Sequence, residues 1–139
     1  MTERALDLDH VHAGYGETVV LEDISLALGV GETLSIIGRN GVGKSTLLAT
    51  IMGHTTLHGG RIRLHDNDVS TLATYRRVAA GLAYVPQERE IFPSLTLREN
   101  LDVAARPGTW KLETVFELFP KLAERAANRG NQLSNLECP

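Results

Sequence analysis

Alternating hydrophobic and polar positions dominate the first thirty residues of the chain. Leu6, Leu8 and Val11 have polar residues between them, and residues 19–28 have the pattern of a second strand. Such alternation is typical of strands with one buried face. The run Gly14-Tyr15-Gly16 is typical of a turn. The pattern therefore predicts an antiparallel β arm near the start of the chain.

Short apolar runs then alternate with segments of helical period. The run at residues 33–37 predicts a buried parallel strand, and the run at 82–85, ended by Pro86, predicts another strand. A further strand is expected over 61–64, after a turn at Gly59-Gly60. Helices are predicted over residues 44–52 (ending at Gly53), 71–78, 97–105 (with Thr96 as N-cap) and 112–127 (interrupted at Pro120). Strands that alternate with helices predict an α/β fold with a mostly parallel sheet.

Composition limits the classes of function. The 139 residues suit one domain, and a net charge of 14 − 17 = −3 provides no general basic surface for nucleic acid. The only cysteine, Cys138, favours a reducing compartment. The polar N-terminal residues predict no signal peptide, and no apolar run is long enough for direct membrane insertion.

A glycine-rich loop follows the apolar run at 33–37. Residues 38–46, G-R-N-G-V-G-K-S-T, match the phosphate-loop pattern G-x-x-x-x-G-K-[ST] between a predicted strand and a predicted helix. Backbone N–H groups of such a loop cradle phosphates, its lysine reaches the β- and γ-phosphates, and its serine ligates Mg²⁺. The predicted nucleotide-binding residues are Gly38, Arg39, Asn40, Gly41, Gly43, Lys44, Ser45 and Thr46.

The alternative to a phosphate site is an ordinary glycine-rich strand-to-helix turn with a surface lysine. The loop alone does not distinguish an ATPase from a GTPase or a small-molecule kinase.

Two flanking segments resemble ATP-binding-cassette (ABC) ATPases. They are residues 13–26, A-G-Y-G-E-T-V-V-L-E-D-I-S-L, and Tyr84-Val85-Pro86-Gln87. The resemblance implies a P-loop NTPase that binds ATP and Mg²⁺, with Tyr15 stacked on adenine and Val20 lining the other side of the base. It also implies that Gln87 touches Mg²⁺ and the attacking water. Taken alone, Tyr15 is equally explained as a turn aromatic, and Gln87 more readily as an ordinary loop glutamine.

Residues 89–101 and 115–122 resemble the helical subdomain of branched-chain amino-acid importer ATPases, with urea importers close behind. We therefore assign residues 1–88 to the front part of the ATP-binding core, 89–130 to a partial helical subdomain and 131–139 to an aberrant or disordered tail. The resemblance implies membrane permease subunits and a second ATPase subunit as partners. It implies a cytoplasmic location, peripheral at the inner face of the plasma membrane.

The resemblance breaks at Asn131-Gln132-Leu133-Ser134, where the family signature would begin. The signature glycines, the Walker B Asp, the catalytic Glu and the switch His are absent. We expect an incomplete domain that binds Mg-ATP with little or no hydrolysis, and unpaired apolar edges at 36–37 and 83–85. A frameshift or gene fragment would explain the ending.

Other interpretations of the chain remain open. They are a nucleotide-holding half-domain that never hydrolyses, a fragment that does not fold and, less favoured, a GTPase. Surface or core positions, rather than metal sites, are expected for His10, His12, His54, His58 and His65.

Overall fold

The computed structural model describes residues 3–88 and 90–133, which fall into two compact units, one up to Val85 and one from Pro86 onward. The first unit contains β1 (Arg4–Tyr15), β2 (Thr18–Gly29), α1 (Lys44–Met52), β3 (Thr56–Leu64), β4 (Asn67–Asp68) and α2 (Thr74–Ala79). The second contains α3 (Leu97–Val103), α4 (Leu112–Leu118), α5 (Pro120–Glu124) and a 3-10 turn (Gly130–Gln132).

The predicted β arm is confirmed. Strands β1 and β2 pair antiparallel through a two-residue turn, and the sheet has the order β2-β1-β3-β4. Gly16 occupies this turn with φ 55, a left-handed geometry that favours glycine. The arm is longer than the sequence pattern predicts, because β1 begins at Arg4 and includes Tyr15.

The core of the first unit lies where α1 contacts β1, β2 and β3. Burial follows a two-residue period at Ile62 and Leu64 of β3, but the period is interrupted at the register shifts of β1, between Leu8 and Val11. Leu47 and Ile51 of α1 cover these buried positions at helical spacing. The buried cluster consists of Leu8, Val11, Ala13, Leu21, Leu47, Ile51, Ile62, Leu64 and Val69.

The strands predicted at 33–37 and 82–85 are not formed, and every strand pairing in the described residues is antiparallel. The two runs are unpaired, as expected for an incomplete domain. Residues 32–39 have no regular secondary structure and are exposed, with Ile37 93% exposed. Residues 82–85 keep an alternating burial pattern, since Leu82 and Tyr84 are half-buried, but they also lack a strand partner. A strand exists only when its backbone N–H and C=O groups pair with a neighbour, and no described segment pairs with these two runs.

The turn predicted at Gly59-Gly60 is also wrong, because both residues lie inside β3. Gly60 has φ 83, and a methyl group there would lie 2.6 Å from the carbonyl oxygen of Asp9 on β1. The pairing register of β1 with β3 shifts between Asp9 and His12. Glycine here serves a bulge with close backbone approach and not a chain reversal.

Helix α3 of the second unit begins as predicted. The Thr96 hydroxyl accepts a hydrogen bond from the Glu99 backbone N–H at 3.1 Å, and the Glu99 carboxylate accepts one from the Thr96 N–H at 2.8 Å. The segment after α5 folds back onto this start, since Leu97 N donates to Asn128 O and Gly130 N donates to Leu95 O.

The other predicted helices are present with shorter or shifted bounds. The helix predicted over 71–78 spans Thr74–Ala79, and the one over 112–127 divides into α4 and α5 at Pro120, as expected for proline inside a helix. Of the predicted tail at 131–139, residues 134–139 lie outside the described residues, as does Arg89 at the start of the predicted subdomain.

Candidate nucleotide-binding site

The glycine-rich loop leads directly into α1. Gly41 and Gly43 have φ values of 83 and 98, a left-handed geometry that side chains rarely adopt, and α1 begins at Lys44. The first helical hydrogen bond runs from Leu47 N to Gly43 O at 2.8 Å. The glycines therefore turn the backbone so that the loop ends at a helix N-terminus.

The N-terminus of α1 is suited to an anion. Gly43 provides no side-chain cap, and the first turn contains no acidic residue. The N–H groups of the first turn have no acceptor within the helix, and the helix dipole is positive at this end. The Ser45 side chain at this end is exposed, whereas Thr46 is buried.

Lys44 lies across the loop. Its ammonium donates to the carbonyl oxygen of Gly38 and, at 2.9 Å, to that of Arg39. Both acceptors are neutral, and no described carboxylate forms an ion pair with Lys44. A methyl group at Gly38 would lie 3.3 Å from Val42 Cγ2 and 3.8 Å from Lys44 Cδ, so the two ends of the loop approach closely.

Strand β2 contacts the end of this loop through Val20 and Leu21. Ala13 pairs with Leu21 and Gly14 with Val19, so Val20 is the extra residue of a bulge. A methyl group at Gly43 would lie 3.0 Å from Leu21 Cδ2 and 3.5 Å from Val20 Cγ1. The bulge directs Val20, which is 38% exposed, toward Gly43. The structure thus brings together Val20 and the loop, two predicted parts of the site that are distant in sequence.

Tyr15 lies at the end of β1, where it pairs with Thr18 across the turn. Its side chain is 53% exposed, and among the described residues its ring stacks on no other aromatic ring. The ring is therefore available for contact with a planar group.

Gln87 is exposed and lies in the second unit, whereas the loop lies in the first. In the described part of the chain, no group of three or more His, Cys, Asp or Glu side chains is arranged to hold a metal ion. A magnesium ion usually keeps several waters and takes one or two protein oxygens together with substrate phosphates. The exposed Ser45 hydroxyl beside a phosphate loop fits that role.

Arg77 of α2, which no sequence motif singles out, is buried at the opposite end of α1. Its guanidinium donates to the carbonyl oxygens of Thr50 and Ile51, both at 2.9 Å. Burial lowers the pKa of this guanidinium from its ordinary value. The neighbouring Arg76 is exposed, and nothing in the sequence distinguishes the two arginines.

None of the helices over residues 3–88 and 90–133 combines the length and the apolar character needed to cross a bilayer.

The ABC transporter family model matches residues 21–137 of the chain. Among curated proteins, the chain is 32% identical over 132 residues to the probable branched-chain amino acid transport ATP-binding protein LivF of Archaeoglobus fulgidus. It is 35% identical over 140 residues to the high-affinity branched-chain amino acid transport ATP-binding protein BraG of Pseudomonas aeruginosa. It is 34% identical over 126 residues to the Nod factor export ATP-binding protein I of Bradyrhizobium diazoefficiens.

These matches cover 91%, 95% and 91% of this chain, but only 56%, 59% and 40% of the three relatives. The chain therefore spans little more than half the length of the first two.

Solved structures share its fold. One, described as the ATP-binding subunit of an ABC transporter, has a TM-score of 0.77 at 28% identity, covering 96% of this chain and 57% of that chain. Another, a nucleotide-free ATP-binding cassette from an ABC transporter, has a TM-score of 0.70 at 23% identity, covering 94% and 59%.

Proposed function

The chain belongs to the ABC transporter family, and from this premise we propose that it binds Mg-ATP through residues 38–46. We propose further that it acts as part of the ATP-binding subunit of an importer for branched-chain amino acids. The observation that carries the proposal is the start of α1: a glycine loop with left-handed turns, a helix N-terminus without acidic residues, and a lysine whose hydrogen bonds within the described residues go to neutral carbonyls.

The charge at this end of α1 supports a polyphosphate ligand. Lys44 and the helix dipole are both positive, and no carboxylate on the first turn opposes them. The Lys44 bonds to the carbonyl oxygens of Gly38 and Arg39 fix its stem across the loop. An ammonium has three donors, so a third remains for a phosphate oxygen. Arg39, Asn40 and Thr46 would complete the contacts to the phosphates.

The β arm supports recognition of adenine. Tyr15 offers an exposed ring, and the bulge at Val20 directs an apolar side chain toward Gly43 at the base of the loop. A flat aromatic face on one side and an aliphatic group on the other suit a planar base. The guanine base of GTP is also planar, so the preference for adenine is part of the proposal.

For the metal, we propose the Ser45 hydroxyl as a ligand of Mg²⁺. A role for Gln87 at the metal is implied only by the family resemblance of its loop. When bound, Mg²⁺ neutralises charge on the β- and γ-phosphates. This chain's own part is to hold the phosphates and present Ser45. We propose little or no hydrolysis by residues 1–139, because no residue here matches the Walker B Asp, the catalytic Glu or the switch His that the family resemblance implies for turnover.

The transport role rests on the relatives. LivF and BraG are described as branched-chain amino acid transport proteins, but the Bradyrhizobium relative is described as an export protein. The importer assignment follows the first two relatives, because the chain matches 56% and 59% of their length and only 40% of the length of the third. Under this proposal, the partners are membrane permease subunits and a second ATPase subunit, and the location is the cytoplasmic face of the plasma membrane.

Thermal unfolding with and without Mg-ATP tests the binding proposal. A ligand that binds only the folded state stabilises it by about 2.7 kcal/mol at a hundredfold excess over its dissociation constant. We expect Mg-ATP to raise the unfolding temperature of the unaltered chain but not that of Lys44→Ala. The matched control is Lys121→Ala, which removes an exposed lysine of α5 and should respond like the unaltered chain. An equal shift in Lys44→Ala would refute the loop as the site, and a larger shift with GTP than with ATP would refute the adenine preference.

A further inference from the structure

Arg77 forms an unusual buried cation. Its side chain is 4% exposed and donates four hydrogen bonds, all to backbone carbonyl oxygens. The bonds of 2.9 Å run from Nε to Leu72, from Nη1 to both Thr50 and Ile51, and from Nη2 to Ser70. No described carboxylate forms an ion pair with it.

Burying an unpaired cation is costly unless hydrogen bonds compensate for the lost water. Here two of the compensating carbonyls, those of Thr50 and Ile51, belong to the last turn of α1. Carbonyls at a helix C-terminus carry the negative end of the dipole, and those in the last turn lack i+4 donors within the helix. The Thr50 carbonyl also accepts from the Gly53 backbone N–H at 3.0 Å. Arg77 therefore satisfies the end of α1 with a matching charge, which a hydrophobic residue of similar size would not do.

The same guanidinium connects α1 to the sheet. Its Nη2 binds the carbonyl oxygen of Ser70, and the Ser70 hydroxyl lies 2.8 Å from the backbone N of Ile62, from which it accepts a hydrogen bond. Val69 N also donates to Ile62 O at 2.9 Å. Ile62 is fully buried in β3. A continuous set of hydrogen bonds thus runs from the C-terminal end of α1 through Arg77 and Ser70 to the core strand β3.

The opposite end of α1 is the proposed phosphate site. The helix has nine residues, so it is about 13 Å long and moves nearly as a rigid rod. We propose that Arg77 is a positioning residue for nucleotide binding: by fixing the C-terminal end of α1 to β3, it sets where the N–H groups of Gly43, Lys44 and Ser45 point. This inference rests on the proposed function of the loop.

Calorimetric titration with Mg-ATP separates positioning from simple stabilisation, because the stoichiometry reports the folded fraction and the dissociation constant reports the affinity. The variants are Arg77→Lys, which keeps the charge but cannot reach all four carbonyls, and Ser70→Ala, which keeps every Arg77 donor and removes the hydroxyl joined to β3. The matched control is Arg76→Lys, a change of the exposed neighbour on the same helix.

We expect the affinity for Mg-ATP to fall about tenfold in Arg77→Lys, roughly the effect of losing one or two net hydrogen bonds, and by a smaller factor in Ser70→Ala. Arg76→Lys should bind like the unaltered chain. The amide ¹H–¹⁵N signals of Gly43 and Ser45 in the nucleotide-free chain should shift in Arg77→Lys and not in Arg76→Lys.

An Arg77 role confined to stability predicts a lower stoichiometry with an unchanged dissociation constant and unmoved amide signals, and that result would overturn the inference. If Arg77→Lys does not fold, an unchanged dissociation constant in folded Ser70→Ala overturns it equally. Failure of the proposed function is distinguishable, because Lys44→Ala would then bind Mg-ATP as tightly as the unaltered chain.

Discussion

Three residues on neighbouring strands of the sheet have left-handed backbone geometry. His10 of β1, Asp23 of β2 and Gly60 of β3 have φ values of 49, 53 and 83. The register of β1 shifts against both neighbours at this level, so His10 sits in a bulge relative to β2 and to β3. The side chains of His10 and Asp23 meet across the bulge, and Gly60 lies against the backbone of Asp9 and His10.

Replacing Gly60 with alanine tests this packing. The methyl group would lie 2.6 Å from Asp9 O and closer still to His10 O, at a φ that L-residues rarely adopt. We expect a loss of about 3 kcal/mol in the free energy of unfolding, from steric overlap and backbone strain together. Gly16→Ala is the control, since its φ of 55 is also left-handed but nothing lies within 4 Å; it should cost about 1 kcal/mol. Equal losses by urea unfolding would contradict the close approach.

The pair formed by His10 and Asp23 titrates in a predictable direction. The 2.5 Å contact between His10 Nδ1 and Asp23 Oδ1 raises the pKa of His10 above 6.5 and lowers that of Asp23 below 3.8. The contribution of His10 to stability is therefore complete below pH 6.5 and is lost as the pH rises through its higher folded pKa. The contribution of Asp23 is present above pH 3.8 and is lost as the pH falls through its lower folded value.

An NMR titration of the His10 ring checks this assignment. Asp23→Asn should lower the midpoint pH of the His10 titration toward 6.5, because the substitution removes the carboxylate charge that stabilises the protonated ring. Glu22→Gln removes an acid from the adjacent position of β2 and should leave the midpoint unchanged. A His10 midpoint that is the same in Asp23→Asn and in the unaltered chain would rule out the pair in solution.

At the scale of elements, the N-termini of α1 and α3 differ. Helix α3 is closed by a reciprocal cap between Thr96 and Glu99. Helix α1 has no side-chain cap at Gly43. Helices α2, α4 and α5 also lack a side-chain cap, but only α1 follows a glycine-rich loop with left-handed turns. Because unfilled N–H groups at a helix start attract anions, α1 is the helix proposed to bind phosphate, and α3 is proposed to be structural.

Removing the cap of α3 should destabilise the second unit alone. Thr96→Ala is expected to cost about 1 kcal/mol, and Thr96→Ser, which keeps the hydroxyl, much less. The bonds from Thr96 lower the pKa of Glu99, so the Glu99 half of the cap is present above pH 4.5 and is lost as the pH falls through the lower folded value. Hydrogen exchange of α3 amides measures the change. Protection that is equal in Thr96→Ala and Thr96→Ser would show that the cap contributes nothing.

The same elements show which predictions local sequence supports. Helix α3 follows from its cap, α1 from its period and terminal Gly53, and the β arm from alternation around a glycine turn; each signal lies within a few residues. Strand formation at 33–37 depends on a distant partner, and the burial of Arg77 but not Arg76 depends on where the end of α1 lies. Neither dependence appears in the local pattern, which explains why the strand predicted at 33–37 is absent and why Arg77 was not predicted to be buried.

In the molecule as a whole, large apolar side chains remain exposed in the two runs that were predicted to be strands. Leu34 and Ile36 are exposed, Ile37 is 93% exposed, and Val85 is 92% exposed. The segment T-L-S-I-I at 33–37 combines high β propensity with no charge and no proline. Such segments pair with other chains when they are uncovered.

We therefore expect the 139-residue chain to self-associate as its concentration rises. Ile37→Lys should shift the sedimentation profile toward the monomer, because a charge in the exposed apolar run opposes strand pairing between chains. Leu118→Lys places the same charge at an exposed leucine of α4, outside this segment, and should leave association unchanged. If the unaltered chain sediments as a monomer at all concentrations, the segment does not drive association. If both lysine variants dissociate the assembly equally, net charge is responsible and not the apolar run.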